Sequence, residues 1–293
     1  MSTIFFTGFP GFLGSELLPR LLARAPQDDA LCIVQPKFAA VAAKRATEIG
    51  GRIRLVEGDI TAPLTIATND ITEIYHLAAI YDLSVKRDAG MRINVDGTRH
   101  VLDFAERCPE LRRVHYISTC YVSGRFDGTF TEDDLDRGQP FNNYYEETKF
   151  LAELDVRARM KSGLPATIYR PSVVVGDSTT GATQKFDGPY FVMQWLMRQP
   201  RIAVLPVVGR PSRYRFNVVP RNFITDALES PTGYDKLSAG VLAACAGADI
   251  LLYTGAATGE LSRLESALRD GRLGRTQAVA SYQRIVALKA KLA

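Results

Sequence analysis

Tyr145 and Lys149 stand four residues apart in the run "YYEETK". In a helix that spacing puts them on one face, one turn apart. A phenol with a pKa of about 10 is a poor acid–base group at neutral pH unless a nearby cation stabilises its anion. Lys149 is such a cation. A hydroxyl beside the phenol would polarise a carbonyl, and Thr119 or Ser118 of "ISTCYVSG", some 26 residues upstream, qualifies. The trio suits proton transfer at a carbonyl oxygen coupled to hydride transfer at its carbon. Tyr144 reads as a packing residue and Cys120 as a small core side chain.

A hydride source is suggested by "TGFPGFLG", residues 7 to 14, which sets Gly8, Gly11 and Gly14 three apart. It follows the strand pattern "TIFFTG" and opens the helix pattern "FLGSELLPRLLARA". Gly8 allows a tight turn, Gly11 leaves room for a pyrophosphate, and Gly14 lets helix and strand pack closely. Phe12 and Leu13 complete the loop, and the helix start aims N–H groups at the phosphates. This context predicts a bound dinucleotide. A carboxylate about 20 residues past the last glycine would bind the ribose of NAD. Here the chain reads "IVQPKF", with Lys37 in place to face a 2′-phosphate, which favours NADP over NAD. Alternatively, Lys37 is a solvated helix-start residue. Asp59, followed by Ile60 in "EGDI", is expected at the adenine amino group, the alternative being a turn residue.

The elements that must position these residues alternate. Strand patterns "ALCIVQ", "IRLVEGD", "EIYHLAA", "RVHYIST" and "PATIYRP" are separated by helical ones, including 93 to 107 and the amphipathic stretch ending in Gly163. Apolar strands between helices predict an α/β fold, a doubly wound parallel sheet of Rossmann type, with ligands at the carboxyl ends of its strands. Beyond residue 176 the pattern loosens. Tyr81, Asp82, loop 177–189, Phe191, Met193, Trp195 and Met197 are candidates for an apolar substrate pocket, or else core.

A hydrophobic fraction of 46%, a charged fraction of 23% and a net charge of +4 without basic runs suit a globular domain and argue against nucleic-acid binding. Four scattered cysteines and three histidines form no ligand spacing, so no metal site or disulfide framework is expected. With no membrane-length apolar stretch and no leader pattern, a cytoplasmic protein is expected, with homo-oligomerisation left open.

Taken with "YHLAA", "NVDGTRHVL", "RPSVVVGD" and "FNVVPRNFITDAL", these motifs make residues 3 to 228 resemble the extended short-chain dehydrogenase/reductase superfamily. Within it they are similar to the branch of fatty acyl-CoA reductases and thioester-reductase domains. The resemblance implies Tyr145 as proton donor or acceptor and Lys149 as the group that lowers its pKa and holds the nicotinamide ribose. It further implies Thr119 as the substrate-orienting hydroxyl, with Ser118 the alternative. Leu77, Ala78 and Ala79 would run along the cofactor, Pro171 and Ser172 would turn against the nicotinamide, and Asn94 would be structural. The implied activity is NADP(H)-dependent reduction of a carbonyl or acyl thioester. A sugar-nucleotide epimerase, a hydroxysteroid-type dehydrogenase and a scaffold that binds cofactor without turnover are the alternatives.

The expected reductase domain is 1–230, followed by a segment 231–293. Residues 233 to 293, with "AGADILLYTG" and "SALRDGRLGRTQAVASYQRIVALKAKL", resemble the closing β/α unit of a family 3 glycoside hydrolase barrel. A chimera joined near 228–233 and a diverged reductase tail both remain open. Leu251, Leu252 and Tyr253, then Leu261, Leu264 and Leu268, carry apolar surface that would favour aggregation if left in water. Truncation after residue 232 is therefore expected to give insoluble or unfolded protein. A soluble truncated chain with the parent melting temperature would refute an integral tail, and hydrolysis of an aryl glycoside would refute its being catalytically inert.

Overall fold

Strands whose residues are buried on both faces pair only inside a sheet that is covered on both sides. The computed structural model describes residues 2–50, 52–184 and 217–229, with isolated positions from 186 to 198 and from 266 to 279. It divides into two compact units, Met1–Pro171 and Ser172–Ala293.

In the first unit β1 (Thr3–Thr7) is buried throughout, and β2 (Asp29–Val34) and β4 (Ile71–His76) nearly so. With β3 (Ile53–Glu57), β5 (Arg113–Ile117) and β6 (Ala166–Tyr169) they form an all-parallel sheet of order β3-β2-β1-β4-β5-β6. Strand order reverses between β1 and β4, which makes their carboxyl ends the expected ligand crevice. The doubly wound sheet expected from the sequence is the fold observed.

The helices are α1 (Gly14–Arg24), α2 (Ala39–Ile49), α3 (Arg87–Gly90), α4 (Gly97–Ala105) and α5 (Tyr144–Lys161). α1 buries Leu17, Leu18, Leu21 and Leu22, the stripe its sequence spacing predicts. Val101 and Phe104 of α4 pack with Phe5, Ile74 and Val114 of three strands, the Phe5 and Phe104 rings 4.6 Å apart. Ala152 and Val156 of α5 pack with Leu102 and Tyr116. Each fully buried Leu, Ile or Phe here contributes roughly 1.5–3 kcal/mol.

One element differs from expectation. The helix expected over 93–107 is preceded by α3 and a π-helical stretch, Met91–Asp96. Thr98 Oγ1 donates to the Asn94 carbonyl at 2.6 Å, so a side chain competes for a backbone acceptor where the helix widens.

The second unit contains β7 (Val173–Val175) paired in parallel with β8 (Val218–Pro220), then α6 (Arg221–Glu229). The boundary expected at 230, the strand "DILLYTG", most of 233–293, and Met193, Trp195 and Met197 lie outside the described residues. Among the described residues no helix is long and apolar enough to cross a membrane, and no His/Cys/Asp/Glu group could hold a metal.

Two buried histidines make the first unit acid-sensitive. Burial, then the Lys149 charge, pushes His76 down to about 3. Burial pushes His115, stacked on Tyr75 at 4.2 Å, down to about 4, with Glu73 partly opposing. Below the ordinary histidine pKa of about 6.5 the unfolded chain binds protons that the folded one refuses, so stability falls as pH drops. The urea midpoint is expected to fall steadily from pH 6.5 towards 4, and less steeply in His115→Phe. An unchanged midpoint from pH 7 to 4.5 would refute this.

Candidate active site

At the carboxyl end of β1 the chain turns so sharply that it admits no side chain. Gly8 has φ +91°, and a Cβ there would lie 2.9 Å from the backbone of Leu77 and Ala78. A Cβ on Gly11 or Gly14 would lie 2.7 or 2.6 Å from the Gly8 carbonyl oxygen, which accepts from the Gly11 N–H at 2.8 Å. Gly14 also abuts Phe6 of β1, the close helix–strand approach its position suggests. Phe12 and Leu13 are half-buried; in the first turn of α1 the Ser15 N–H donates to the Gly11 carbonyl and those of Glu16 and Leu17 to the Leu13 carbonyl. Leu77, Ala78 and Ala79 pass beside this turn, the Ala78 N–H donating to Thr7 Oγ1 at 3.1 Å.

Lys37 is exposed just past β2, its Nζ 5.0 Å from the centre of the Phe38 ring. Asp59 accepts from Gln35 Nε2 at 2.7 Å and from the Thr61 N–H at 2.9 Å, so it is a turn residue at least. The Ile60 side chain belongs to the apolar core; its carbonyl lies 2.7 Å from His100 Nδ1. Sequence reading missed Arg45. Pro19, inside α1, has no N–H for the Ser15 carbonyl four residues back. Arg45 Nη2 of α2 donates to that carbonyl at 3.4 Å and its Nη1 pairs with Glu48 at 2.9 Å, while its Nε is buried with no partner among the described residues. The available signal was a proline inside a helix followed by an arginine on the next one. Three glycines that admit no side chain, a helix N-terminus and a buried guanidinium N–H without an acceptor fit an anionic dinucleotide.

The second half of the site hangs on α5. Asn143 caps it by accepting the Glu146 N–H at 3.0 Å, and Glu146 returns to the Asn142 N–H at 2.8 Å. That start puts Tyr145 in the first turn and Lys149 one turn on. Tyr145 is 6% exposed, with Thr119 beside its phenol. Burial pushes that phenol well up, Thr119 partly opposing. Lys149, 2% exposed, donates to the Ile117 carbonyl at 2.7 Å and to Tyr116 Oη at 2.9 Å. Burial pushes it down to about 7, against the attraction of Glu153. Both groups are thus driven towards their neutral forms.

Thr119 and Ser118 part company. Ser118 donates to Glu153 at 2.6 Å, away from the phenol, whereas Thr119 faces Tyr145 and donates to the Pro171 carbonyl at 3.4 Å. Glu153, fully buried, also binds Arg170 at 2.6 Å and Arg157 at 3.1 Å. Both arginines grip carbonyls of the loop 131–134. Asn94 bridges the backbone of Ile80 to Thr148 Oγ1, a structural tie between the β4 exit and α5. Tyr81, 38% exposed, sets its ring edge-on to Tyr145 at 5.1 Å, while Asp82 turns back onto Ser84. Ser172, half-buried, opens the second unit, and Phe191 there is 62% exposed.

Known proteins share both sequence and fold with this chain. The sequence profile of an NAD-binding family described as "Male sterility protein" matches residues 6–228. A nonribosomal peptide synthetase of Aspergillus flavus is 26% identical over 253 residues, 77% of this chain and 24% of that protein. The terminal R domain from the myxalamid PKS-NRPS biosynthetic pathway superposes with a TM-score of 0.67 at 28% identity, covering 80% of this chain and 64% of that one. The dTDP-glucose 4,6-dehydratase DesIV from Streptomyces venezuelae, with NAD and TYD bound, gives 0.61 at 25% identity, covering 78% and 70%. This chain thus spans about a quarter of the synthetase and under two thirds of the R-domain chain.

The Glu153 cluster generates a stability test. Removing one partner of a buried pair leaves charge uncompensated, and Glu153→Ala is expected to cost about 3 kcal/mol, the low end for such pairs because Arg157 reaches solvent. Urea denaturation measures it, and a loss under about 1 kcal/mol, the worth of a surface pair, would show that the cluster is not a structural anchor.

Proposed function

Given that the chain belongs to the NAD-binding family described as male sterility protein, we propose that it is an NADP(H)-dependent oxidoreductase of extended short-chain type that reduces a carbonyl or an acyl thioester. The observation that supports this reading is the buried Tyr145 beside Thr119, with Lys149 buried one turn further along the same helix. The glycine turn, the α1 N-terminus, Arg45 and Lys37 would hold the dinucleotide, with Lys37 and Arg45 available to a 2′-phosphate. When bound, the nicotinamide supplies the hydride. The raised pKa keeps Tyr145 protonated at neutral pH, as a proton donor in the reducing direction must be. Tyr145 Oη gives its proton to the carbonyl oxygen, which Thr119 orients by a second hydrogen bond. The phenolate left behind would be stabilised by the protonated form of Lys149, whose pKa burial lowers to about 7. With a thioester, hydride addition at carbon and loss of the thiol leave an aldehyde. The synthetase and R-domain relatives favour the thioester among substrates; the dehydratase likeness keeps a nucleotide sugar as the second reading.

Tyr145→Phe is expected to abolish NADPH oxidation while leaving NADPH affinity, read by cofactor fluorescence, nearly intact. NADPH should bind more tightly than NADH. Loss of one charge-assisted contact in Lys37→Ala or Arg45→Ala should narrow that preference by about tenfold or more. Screening aldehydes, acyl-CoAs, hydroxysteroids and nucleotide sugars separates the substrate classes. Near-parent turnover in Tyr145→Phe would sink the site assignment, and equal affinity for the two cofactors would sink the NADP assignment.

A further inference from the structure

Behind Lys149 the core holds a line of polar groups that the chemistry above does not use. Lys149 Nζ donates to Tyr116 Oη at 2.9 Å and lies 4.4 Å from the centre of that ring. Tyr116, 1% exposed, has Thr98 beside its hydroxyl. Thr98 spends its only hydroxyl proton on the Asn94 carbonyl at 2.6 Å, so its oxygen is left to accept, from His76 Nε2 at 3.0 Å. The neutral His76 therefore carries its proton on Nε2. Its Nδ1 accepts from Thr7 Oγ1 at 2.8 Å, and that oxygen accepts the Ala78 N–H at 3.1 Å. From the Ala78 N–H through Thr7, His76 and Thr98 to the Asn94 carbonyl, each donor meets an acceptor in one direction.

We infer that Tyr116 is a positioning residue for Lys149: its hydroxyl holds the amino group, and Thr98, His76 and Thr7 hold that hydroxyl from beneath the glycine turn. A phenylalanine would fill the same apolar cluster with Leu102, Ala152 and Val156 without burying a hydroxyl. Burying polar groups is costly unless every one is paired, and a fully paired set fixes a single geometry. The groups facing Lys149 are Tyr116 from β5, His76 from β4, and Tyr145 and Glu153 on its own helix. The relevance to catalysis rests on the role proposed for Lys149; the positioning itself does not.

The test is NMR of the full chain carrying 13C,15N-labelled lysine, with the Lys149 signal assigned by its loss in Lys149→Met. Because the Tyr116 oxygen accepts from the amine and favours its protonated form, Tyr116→Phe should lower the Lys149 titration midpoint by roughly 0.5–1 pH unit. Thr98→Val should shift it in the same direction, and Thr98→Ser should keep the parent value. Tyr75→Phe removes another buried tyrosine hydroxyl, one bonded to Glu73, and should leave the midpoint alone. A Tyr116→Phe midpoint within about 0.2 unit of the parent, or an equal shift in Tyr75→Phe, overturns the inference. Should Tyr116→Phe not fold, the Thr98 pair decides alone: equal midpoints in Thr98→Val and Thr98→Ser overturn it. Parent-like turnover in Lys149→Met would instead defeat the role proposed for the lysine, leaving the midpoint result standing.

Discussion

The buried carboxylate of Glu153 is the contact on which the rest of the site depends. It lies one helical turn beyond Lys149 on α5 and joins that helix to Ser118 at the end of β5 and to Arg170 at the end of β6. Three elements are thereby fixed at one point. Its arginine partners also hold the loop 131–134 by its carbonyls, so the chain leading into the Asn143 cap is held by the same charges. Such a cluster gains little over an apolar core in free energy, but it tolerates only one register. With Ser118 committed to Glu153, Thr119 is left to face the phenol.

Protonation follows from the same burial. A tyrosine and a lysine inside the sheet's carboxyl end both lose solvation, so one is pushed up and the other down. Both are driven towards their neutral forms. Neither state follows from the four-residue spacing. It depends on how deep the strands carry each side chain, and on the Ile117 carbonyl and Tyr116 hydroxyl that wait there for the amine.

The glycine turn illustrates a constraint of a different kind. All three glycines are required by the chain's own backbone, since added Cβ atoms would strike Leu77, Ala78 or the Gly8 carbonyl. The turn proposed to hold phosphates is therefore also a turn packed against the exit of β4 at the sheet's switch point. On the proposed function, folding and binding make the same demand there.

The sequence by itself determined the architecture. Buried runs such as "TIFFT", the leucine stripe of α1 and the glycine spacing are local patterns, and local sterics and periodicity suffice to read a parallel sheet from them. The Tyr145–Lys149 face was legible for the same reason, because both residues sit on one helix. What only the tertiary structure decided lies across elements. The choice of Thr119 over Ser118 depends on Glu153, 34 residues past Thr119. Arg45 meets the Ser15 carbonyl only because Pro19 leaves that acceptor open and α2 packs beside α1. The line from Lys149 through Tyr116, Thr98 and His76 to Thr7 draws on three strands and two helices. No spacing rule encodes such contacts, because hydrogen bonds between buried side chains are set by which strands become neighbours, and the strand order 3-2-1-4-5-6 is not the order of the chain.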